Sequence, residues 1–252
     1  MDRHLLGIFV LPCINKLVGV DSCDFKSTIQ FGCGQMLKSR KSSWLFYGAI
    51  LVNLGLLFSF KYQNLLGKLD VSMGLGLFDG GSWMVPLGLS FYTFQGISYL
   101  IESKRDTLVK ASFGNYVSYM LFFPKIIAGP IDKPNDFLQQ DLGSTITYER
   151  FQKGFQKILY GLFKKIFIAG NIHFLLNQIE ALEHPTMLEW LLSNALYPIE
   201  IFAEFSGYTD IALGCGLLFG IKLTENFKNP LTASSLTQFW RRWHISLTSW
   251  LT

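Results

Sequence analysis

Charge is scarce in this sequence. Asp, Glu, Lys and Arg make up only 16% of its 252 residues, where a soluble domain of this length carries about a quarter. Half of the residues are apolar, 23 of them Phe. Cysteine and histidine are equally thin, at four each. Cys13, Cys23, Cys33 and Cys215 form no CxxC pair, and no His/Cys ligand spacing accompanies them, which argues against a disulfide framework and against a zinc site. Several catalytic signatures are missing: the G-x-S-x-G elbow, H-E-x-x-H, the Walker loop and the H-x-x-x-x-D of soluble glycerolipid acyltransferases. The net charge of +4 is scattered, so no nucleic-acid partner is expected. Leu5–Leu11 is short for a signal-peptide core, and Pro12 before Cys13 fits a lipoprotein site badly.

What the sequence has instead is long apolar runs. Trp44–Phe60 and Trp83–Ile101 approach the ~20 residues that cross a bilayer. Leu5–Val20 is a poorer run, interrupted by Pro12, Asn15 and Lys16. Lys and Arg cluster between the runs, and neither occurs between Glu180 and Asp210. Because Lys and Arg collect on the cytoplasmic side, residues 38–43, 102–112, 149–165 and 222–242 are expected inside, with 61–82 and roughly 180–189 outside. Tyr116–Ile131 then begins and ends between cytoplasmic clusters. Its Pro124, Lys125, Gly129 and Pro130 predict a broken, re-entrant or surface-lying path, tolerated at membrane depth only where protein or water covers it.

From Phe151 to Ile168 apolar residues recur at helical spacing, with Lys153, Lys157 and Lys164 on the opposite face. This predicts an amphipathic helix at the cytoplasmic surface, turning inward past Lys165. Trp190–Leu223 is too long for one ordinary span, and Ser206-Gly207 is read as its break. The same run carries Glu200, Glu204 and Asp210 without a local basic partner. Carboxylates in a membrane cost ~2.5–3.5 kcal/mol each on insertion scales, so they face protein or water. Either a polar cavity or a buried hydrogen-bond network fits. Gly216 and Gly220 form a small-xxx-small pattern, read with Gly214 as close helix packing. Gly74, Gly76, Gly80 and Gly81 read as a turn, and His4, His173 and His184 as surface or packed residues.

Gln238–Trp250, Q-F-W-R-R-W-H-I-S-L-T-S-W, is the most informative stretch. Ser235 and Gln238 have capping-box spacing, so a helix is expected to start near Leu236. At about 100° per residue Thr237, Arg241, His244 and Thr248 share one strip of that helix, and Trp240, Trp243, Leu247, Trp250 and Leu251 the adjoining one. An imidazole beside a guanidinium, hydroxyls and an aromatic wall could handle an acyl group on an anionic carrier. An interfacial Trp/Arg anchor fits the same composition.

Three blocks together carry a family resemblance: Phe205-Ser-Gly-Tyr-Thr-Asp-Ile-Ala-Leu-Gly, Gly216-Leu-Leu-Phe-Gly-Ile-Lys-Leu-Thr-Glu-Asn-Phe, and Phe239-Trp-Arg-Arg-Trp-His-Ile-Ser-Leu. They resemble the membrane-bound O-acyltransferase family, in its bacterial branch that O-acetylates alginate and related exopolysaccharides. Pro86-Leu-Gly-Leu-Ser-Phe-Tyr-Thr-Phe-Gln and Phe122-Phe-Pro-Lys-Ile-Ile-Ala-Gly-Pro-Ile look like the same family's upstream motifs. The resemblance implies an all-α, polytopic integral membrane protein, a ring of transmembrane and re-entrant helices around a central cavity, in the bacterial inner membrane. It implies acetyl-CoA as the cytoplasmic acyl donor, and periplasmic acetyl-transfer proteins with a polysaccharide acceptor as partners.

By the same resemblance His244 matches the first of two signature histidines and is the expected catalytic residue. Arg241, Arg242, Trp240, Trp243, Asn226, Glu204 and Asp210 are the expected substrate-binding residues. Arginine suits a donor that carries phosphates, because its planar fork offers paired donors. The second histidine lies in a later L-W-H-G-like segment, for which this sequence has no counterpart. Residues 1–252 are therefore expected to be one partial membrane domain, incomplete at both ends and lacking a full catalytic pair. Two alternatives stay open: a D-alanyl transferase of teichoic acid, and a non-enzymatic scaffold or pore subunit.

Overall fold

A computed structural model of the protein describes residues 21–73, 88–140 and 146–252; the side chains of residues 21–26 and 69–71 are left aside. All the regular secondary structure among the described residues is helical, and none of them lies in a strand. The expected span Leu5–Val20, the glycine turn at 74–81 and the start of Trp83–Ile101 lie outside them. The chain divides into two compact units, residues 1–127 with 133–139, and residues 128–132 with 140–252.

The first unit contains α1 (Asp21–Arg40), α2 (Ser43–Lys61), α3 (Gln63–Met73), α4 (Leu89–Arg105), α5 (Phe113–Met120), α6 (Phe123–Ile126) and α7 (Pro134–Leu138). α2 starts where the Ser42 hydroxyl accepts from the Leu45 N–H, and it turns Trp44, Tyr47, Leu51 and Val52 outward. It is long and apolar enough to cross a membrane. α4 is the reverse case, with Tyr99 and Leu100 fully buried. It fits closely against α1 because Gly34 leaves room for the Tyr99 ring and Gly96 for the Gln30 amide. The expected broken path is present: α5 ends at Met120, and α6 is a single turn opened by Pro124. The Lys125 ammonium is fully buried, lying 4.2 Å above the Tyr119 ring and 4.3 Å above that of Phe137.

The second unit is built on a long helix pair. α8 (Tyr148–Leu162) runs through a π-helical segment (Phe163–Ala169) into α9 (Gly170–Glu180). The hydroxyl of Thr147 opens this helix by accepting from the Arg150 N–H. It does not turn at Lys165, as the sequence reading expected. It continues to Glu180, and residues 148–180 are long and apolar enough to cross a membrane. Phe151, Phe155, Leu159, Phe163, Ile166 and Phe167 are exposed, each about half or more, while Lys157 and Lys164 turn toward the partner helix. An apolar outside over a polar inside is how a helix pair sits in lipid, where carbon faces carbon and charge must be covered.

The partner is α10 (Met187–Leu218), thirty-two residues long. A complete capping box starts it: Thr186 accepts from the Glu189 N–H, and the Glu189 carboxylate accepts from the Thr186 N–H. No break occurs at Ser206-Gly207, correcting that expectation. Gly207 serves close packing instead. A Cβ there would lie 2.8 Å from the Gly161 carbonyl oxygen, and one on Gly161 would lie 2.5 Å from that of Gly207. One turn-pair along, Gly154 and Gly214 repeat the arrangement at 2.9 and 2.6 Å. Two glycines seven residues apart on each helix thus let the backbones touch twice. The small-xxx-small reading of Gly216 and Gly220 also changes. Gly220 has φ +76° and ends α10, with Ile221 N–H donating to Gly216 O at 2.8 Å and Gly220 N–H to Leu217 O at 3.0 Å. That six-to-one and five-to-two pairing needs a left-handed residue, hence glycine.

After α10 the chain passes residues 221–229, a short turn of 3₁₀ helix (Pro230–Thr232), α11 (Leu236–Arg242) and α12 (Ile245–Leu251). α11 begins at Leu236 as expected, the Ser235 hydroxyl accepting from the Gln238 N–H at 3.2 Å. The reciprocal bond shifts by one residue: the Gln238 side-chain oxygen accepts from Ser234, not from Ser235.

Candidate functional site

The single helix expected to carry Arg241, His244 and Thr248 on one strip is two helices. Trp243 leaves α11 in an extended conformation, and His244, at φ +45° and ψ +53°, is the residue before α12. A left-handed conformation strains a residue that has a Cβ, so something must hold it. Residues 226–228 do. Lys228 N–H donates to Arg242 O at 3.0 Å, and Ile245 N–H donates to Asn226 O at 2.9 Å. The Asn226 side-chain oxygen accepts from Ser246 N–H at 3.2 Å. His244 has no side-chain cap bond of its own, so Asn226, from another segment, supplies the partners that the first N–H groups of α12 need. Ser246 then reaches on, its hydroxyl accepting from Ile131 N–H at 3.0 Å. Asp132, next along, accepts from Thr224 N–H at 2.9 Å.

The His244 ring stands edge-on to Phe205, with centroids 4.9 Å apart. Phe227 packs on Phe202, Phe205 and Trp243, and Trp243 stacks on Phe239. This wall takes water from around the imidazole, and burial lowers the His244 pKa from its ordinary value, favouring the neutral ring. Its Nδ1 is buried with no hydrogen-bond partner among the described residues. Burial thus favours the uncharged imidazole here, with Nδ1 lacking a partner among the described residues.

Beside it lies an open cleft, ≈ 310 Å³ out to its mouth. Lys157, Lys164, Ser206, Thr209, Asp210, Glu225 and Asn226 supply its polar lining, with Leu213 and Phe227 as apolar walls. Asp210 meets Lys164 at 2.7 Å and Lys157 at 3.6 Å, and Glu225 meets Lys157 at 3.4 Å. Deeper in, the Ser206 hydroxyl and the Asn226 side-chain nitrogen are buried without a partner among the described residues.

The structure thus brings His244, Asn226, Asp210 and Trp243 into one neighbourhood. Asp210 lines the cleft, while Glu204 stands away from its lining, half exposed and paired with Lys165. Glu200 pairs with His173 at 2.7 Å. The carboxylates that looked unpartnered in sequence all have basic partners, on the facing helix. Lys164 and Lys165 are adjacent, yet both reach α10 carboxylates, from the π-helical segment whose turn is wider than an α turn. Arg242 donates to the Asn229 carbonyl and the Thr232 hydroxyl, bracing the turn that precedes α11. Arg241 and Trp240 are exposed. Sequence reasoning missed Lys157, Lys164, Ser206 and Thr209. The lysines had been assigned to a solvated face, but their spacing of seven, shared with Gly154 and Gly161, marks the seam.

The sequence pattern of the membrane-bound O-acyltransferase family matches residues 40–252, and the protein belongs to that family. It is 35% identical over 239 residues to a probable alginate O-acetylase of Pseudomonas syringae pv. tomato, covering 93% of this chain and 46% of that protein. It is 29% identical over 240 residues to the peptidoglycan O-acetyltransferase of Helicobacter pylori, covering 84% and 45%. A 36% identity over 172 residues links it to the teichoic acid D-alanyltransferase of Bacillus subtilis, covering 65% and 43%. The chain spans about half the length of the curated relatives it matches.

Proposed function

We propose that this protein belongs to a membrane O-acyltransferase that moves acetyl groups from a cytoplasmic donor, acetyl-CoA, toward alginate or a related extracellular polysaccharide, with periplasmic acetyl-transfer proteins as partners. The observation that carries this reading is the imidazole of His244, held on a left-handed turn against Phe205 with its Nδ1 buried and without a partner among the described residues, beside a polar cleft. A neutral ring nitrogen accepts or relays a proton and orients reacting groups by hydrogen bonding. Trp243 and the phenylalanines around it exclude water that would hydrolyse an activated acyl group. Arg241, Arg242 and Trp240 stand on the donor side, where a guanidinium recognises phosphate.

The setting proposed is the bacterial inner membrane, crossed several times within a helical ring, with the His244 segment on the cytoplasmic face. Membrane vesicles bearing the protein and its gene neighbours, fed radiolabelled acetyl-CoA, test the chemistry. Label should reach polysaccharide, and His244→Ala should remove it. Label transfer that persists in the Ala variant would sink the role given to His244.

D-alanyl transfer to teichoic acid is the second reading, favoured by the identity to the Bacillus subtilis protein. Label from D-alanine appearing on a teichoic acid, with none from acetyl-CoA on polysaccharide, would select it.

A further inference from the structure

We infer that the corner where α1, α2 and α4 meet is a binding site for an anionic phospholipid, its phosphate held at the ends of α1 and α4 and its acyl chains laid along α2. Three helix ends are tied together there. Lys41 and Asp106, the residues just past α1 and α4, are both left-handed, at φ +49° and +58°, and their side chains pair at 3.4 Å. Lys38 donates to the Leu108 carbonyl at 2.9 Å. Lys104 donates to the Ser43 hydroxyl at 3.4 Å and lies 4.3 Å above the Phe46 ring and 4.9 Å above that of Tyr47. The last turn of α4 thus rests on the first turn of α2, partly through cation–π attraction.

The corner carries more positive charge than its own helices explain. Residues 38–41 and 102–110 hold six basic side chains, Lys38, Arg40, Lys41, Lys104, Arg105 and Lys110, against two carboxylates, Glu102 and Asp106. That surplus equals the formal net charge of the whole chain, +4, so the rest of the sequence is balanced. Helix C-termini attract cations, but each carries only about half a unit of negative charge. The ends of α1 and α4 therefore answer about one of the four surplus charges. Arg40 and Arg105 are exposed, and neither lies within ion-pair distance of a carboxylate among the described residues. A guanidinium meets phosphate through two parallel donors.

The apolar neighbour decides what kind of anion fits. Trp44, the second residue of α2, is 90% exposed, and Tyr47, Leu51 and Val52 follow it, exposed, along a helix long and apolar enough to cross a membrane. A soluble phosphate would leave this face bare, whereas a diacyl phospholipid covers the charged corner and the apolar helix together. Indole and phenol rings settle at the headgroup level of a bilayer, and basic residues beside them draw anionic lipid. This site belongs to the first unit and does not rest on the acyl-transfer reading.

The test is tryptophan fluorescence of the whole chain in uncharged detergent micelles, quenched by phosphatidylglycerol or phosphatidylcholine with identically brominated chains. Comparison with Trp44→Phe isolates the share of Trp44. Phosphatidylglycerol should quench Trp44 at lower concentration than phosphatidylcholine. Arg40→Gln and Arg105→Gln should each raise the phosphatidylglycerol concentration required about fivefold, the worth of one basic residue at an anionic surface. Both side chains are exposed, so the thermal unfolding midpoint should stay near wild type. Lys153→Gln, at an exposed lysine of the second unit, should change nothing. Glycerol 3-phosphate, the headgroup without chains, should fail to displace the lipid at equal concentration. Equal quenching by the two lipids, or a phosphatidylglycerol preference that survives Arg40→Gln and Arg105→Gln combined, would overturn the proposal. Displacement by glycerol 3-phosphate would overturn it too, by showing a site for phosphate alone.

Discussion

Asn226 and Ser246 lie twenty residues apart, and the bond from the Ser246 N–H to the Asn226 side-chain oxygen sets where α12 begins. The adjoining bond from Ile245 N–H to Asn226 O brackets His244 in its left-handed conformation. Asn226 thus acts as an N-cap supplied from outside its own helix, a role that a remote asparagine fills with the same oxygen chemistry as a local one.

Replacing Asn226 with Ala removes this cap. Loss of an N-cap costs about 0.5–2 kcal/mol, and leaving Ser246 N–H buried without an acceptor pushes toward the upper end. Thermal unfolding in detergent should register the loss, and proteolysis should become faster between Trp243 and Leu247. Unchanged stability and unchanged cleavage would show that His244 is held by something else.

The glycine seam gives a sharper contrast. Gly161→Ala places a methyl 2.5 Å from the Gly207 carbonyl and 2.8 Å from the Ile211 nitrogen, so α8 and α10 must move apart. Overpacking of this kind costs about 1–3 kcal/mol. Gly48→Ala on α2, where nothing lies within 4 Å, should be neutral or stabilising because Ala favours helix by about 1 kcal/mol over Gly. A pair of unfolding curves that shift equally would mean that the seam is looser than described.

Much of this was legible in sequence, and the misreadings share one cause. Periodicity identified the helical, membrane-suited character, the start of α11 at Leu236 and the broken path near Pro124, because these are local effects of composition and capping. It failed at Ser206-Gly207, which looks like a helix break until Gly161 is seen opposite. It failed again at Lys157 and Lys164, which look like the polar face of a surface helix until Asp210 is seen across the seam. The His244 strip failed because Asn226, eighteen residues upstream, pins the turn. Pairings between elements are not written in the spacing of one element. The family blocks nevertheless pointed to His244, Asn226 and Asp210 as members of one site.

The helix pair and the distribution of Lys and Arg together give a topology to test. If residues 148–180, long and apolar enough to cross a membrane, do cross it and α10 brings the chain back, a reporter inserted after Thr147 should read as cytoplasmic, one at His184 as external and one after Lys228 as cytoplasmic again. Lys and Arg cluster at the first and third positions and are absent between Glu180 and Asp210. A cytoplasmic signal at His184 would reverse the orientation and remove Arg241 and His244 from the donor side.

Asp210 serves two lysines, whereas Lys157 has two carboxylates and is the more exposed lysine, at 35% against 16% for Lys164. Asp210→Asn should therefore be the most damaging change in the cleft, costing on the order of 3–5 kcal/mol as expected when a shielded ion pair loses one partner. Lys164→Met should follow, and Lys157→Met should be mildest, because Lys164 still pairs with Asp210 there. Denaturation of the three variants ranks them directly. Lys157→Met emerging as the worst would show that the mouth of the cleft, not its depth, carries the charge balance.

His244 sets the pH behaviour of the site. Burial holds its folded pKa below the ordinary value of 6.5, so the unfolded chain binds this proton at a pH where the folded chain still refuses it. The stability contributed by the neutral ring is therefore complete above 6.5 and declines as pH falls from there to the depressed folded value. Acyl transfer that needs a neutral imidazole should show its acid limb below 6.5, displaced in the same direction. His244→Gln should flatten the corresponding part of the stability profile, leaving the carboxylate-dependent loss at lower pH. Unfolding midpoints measured from about pH 5 to 8, the range in which histidine changes charge, check the first expectation, and rate against pH checks the second. A wild-type acid limb above 6.5 would mean that a positive charge on His244 is stabilised, and that the aromatic wall does not control its protonation.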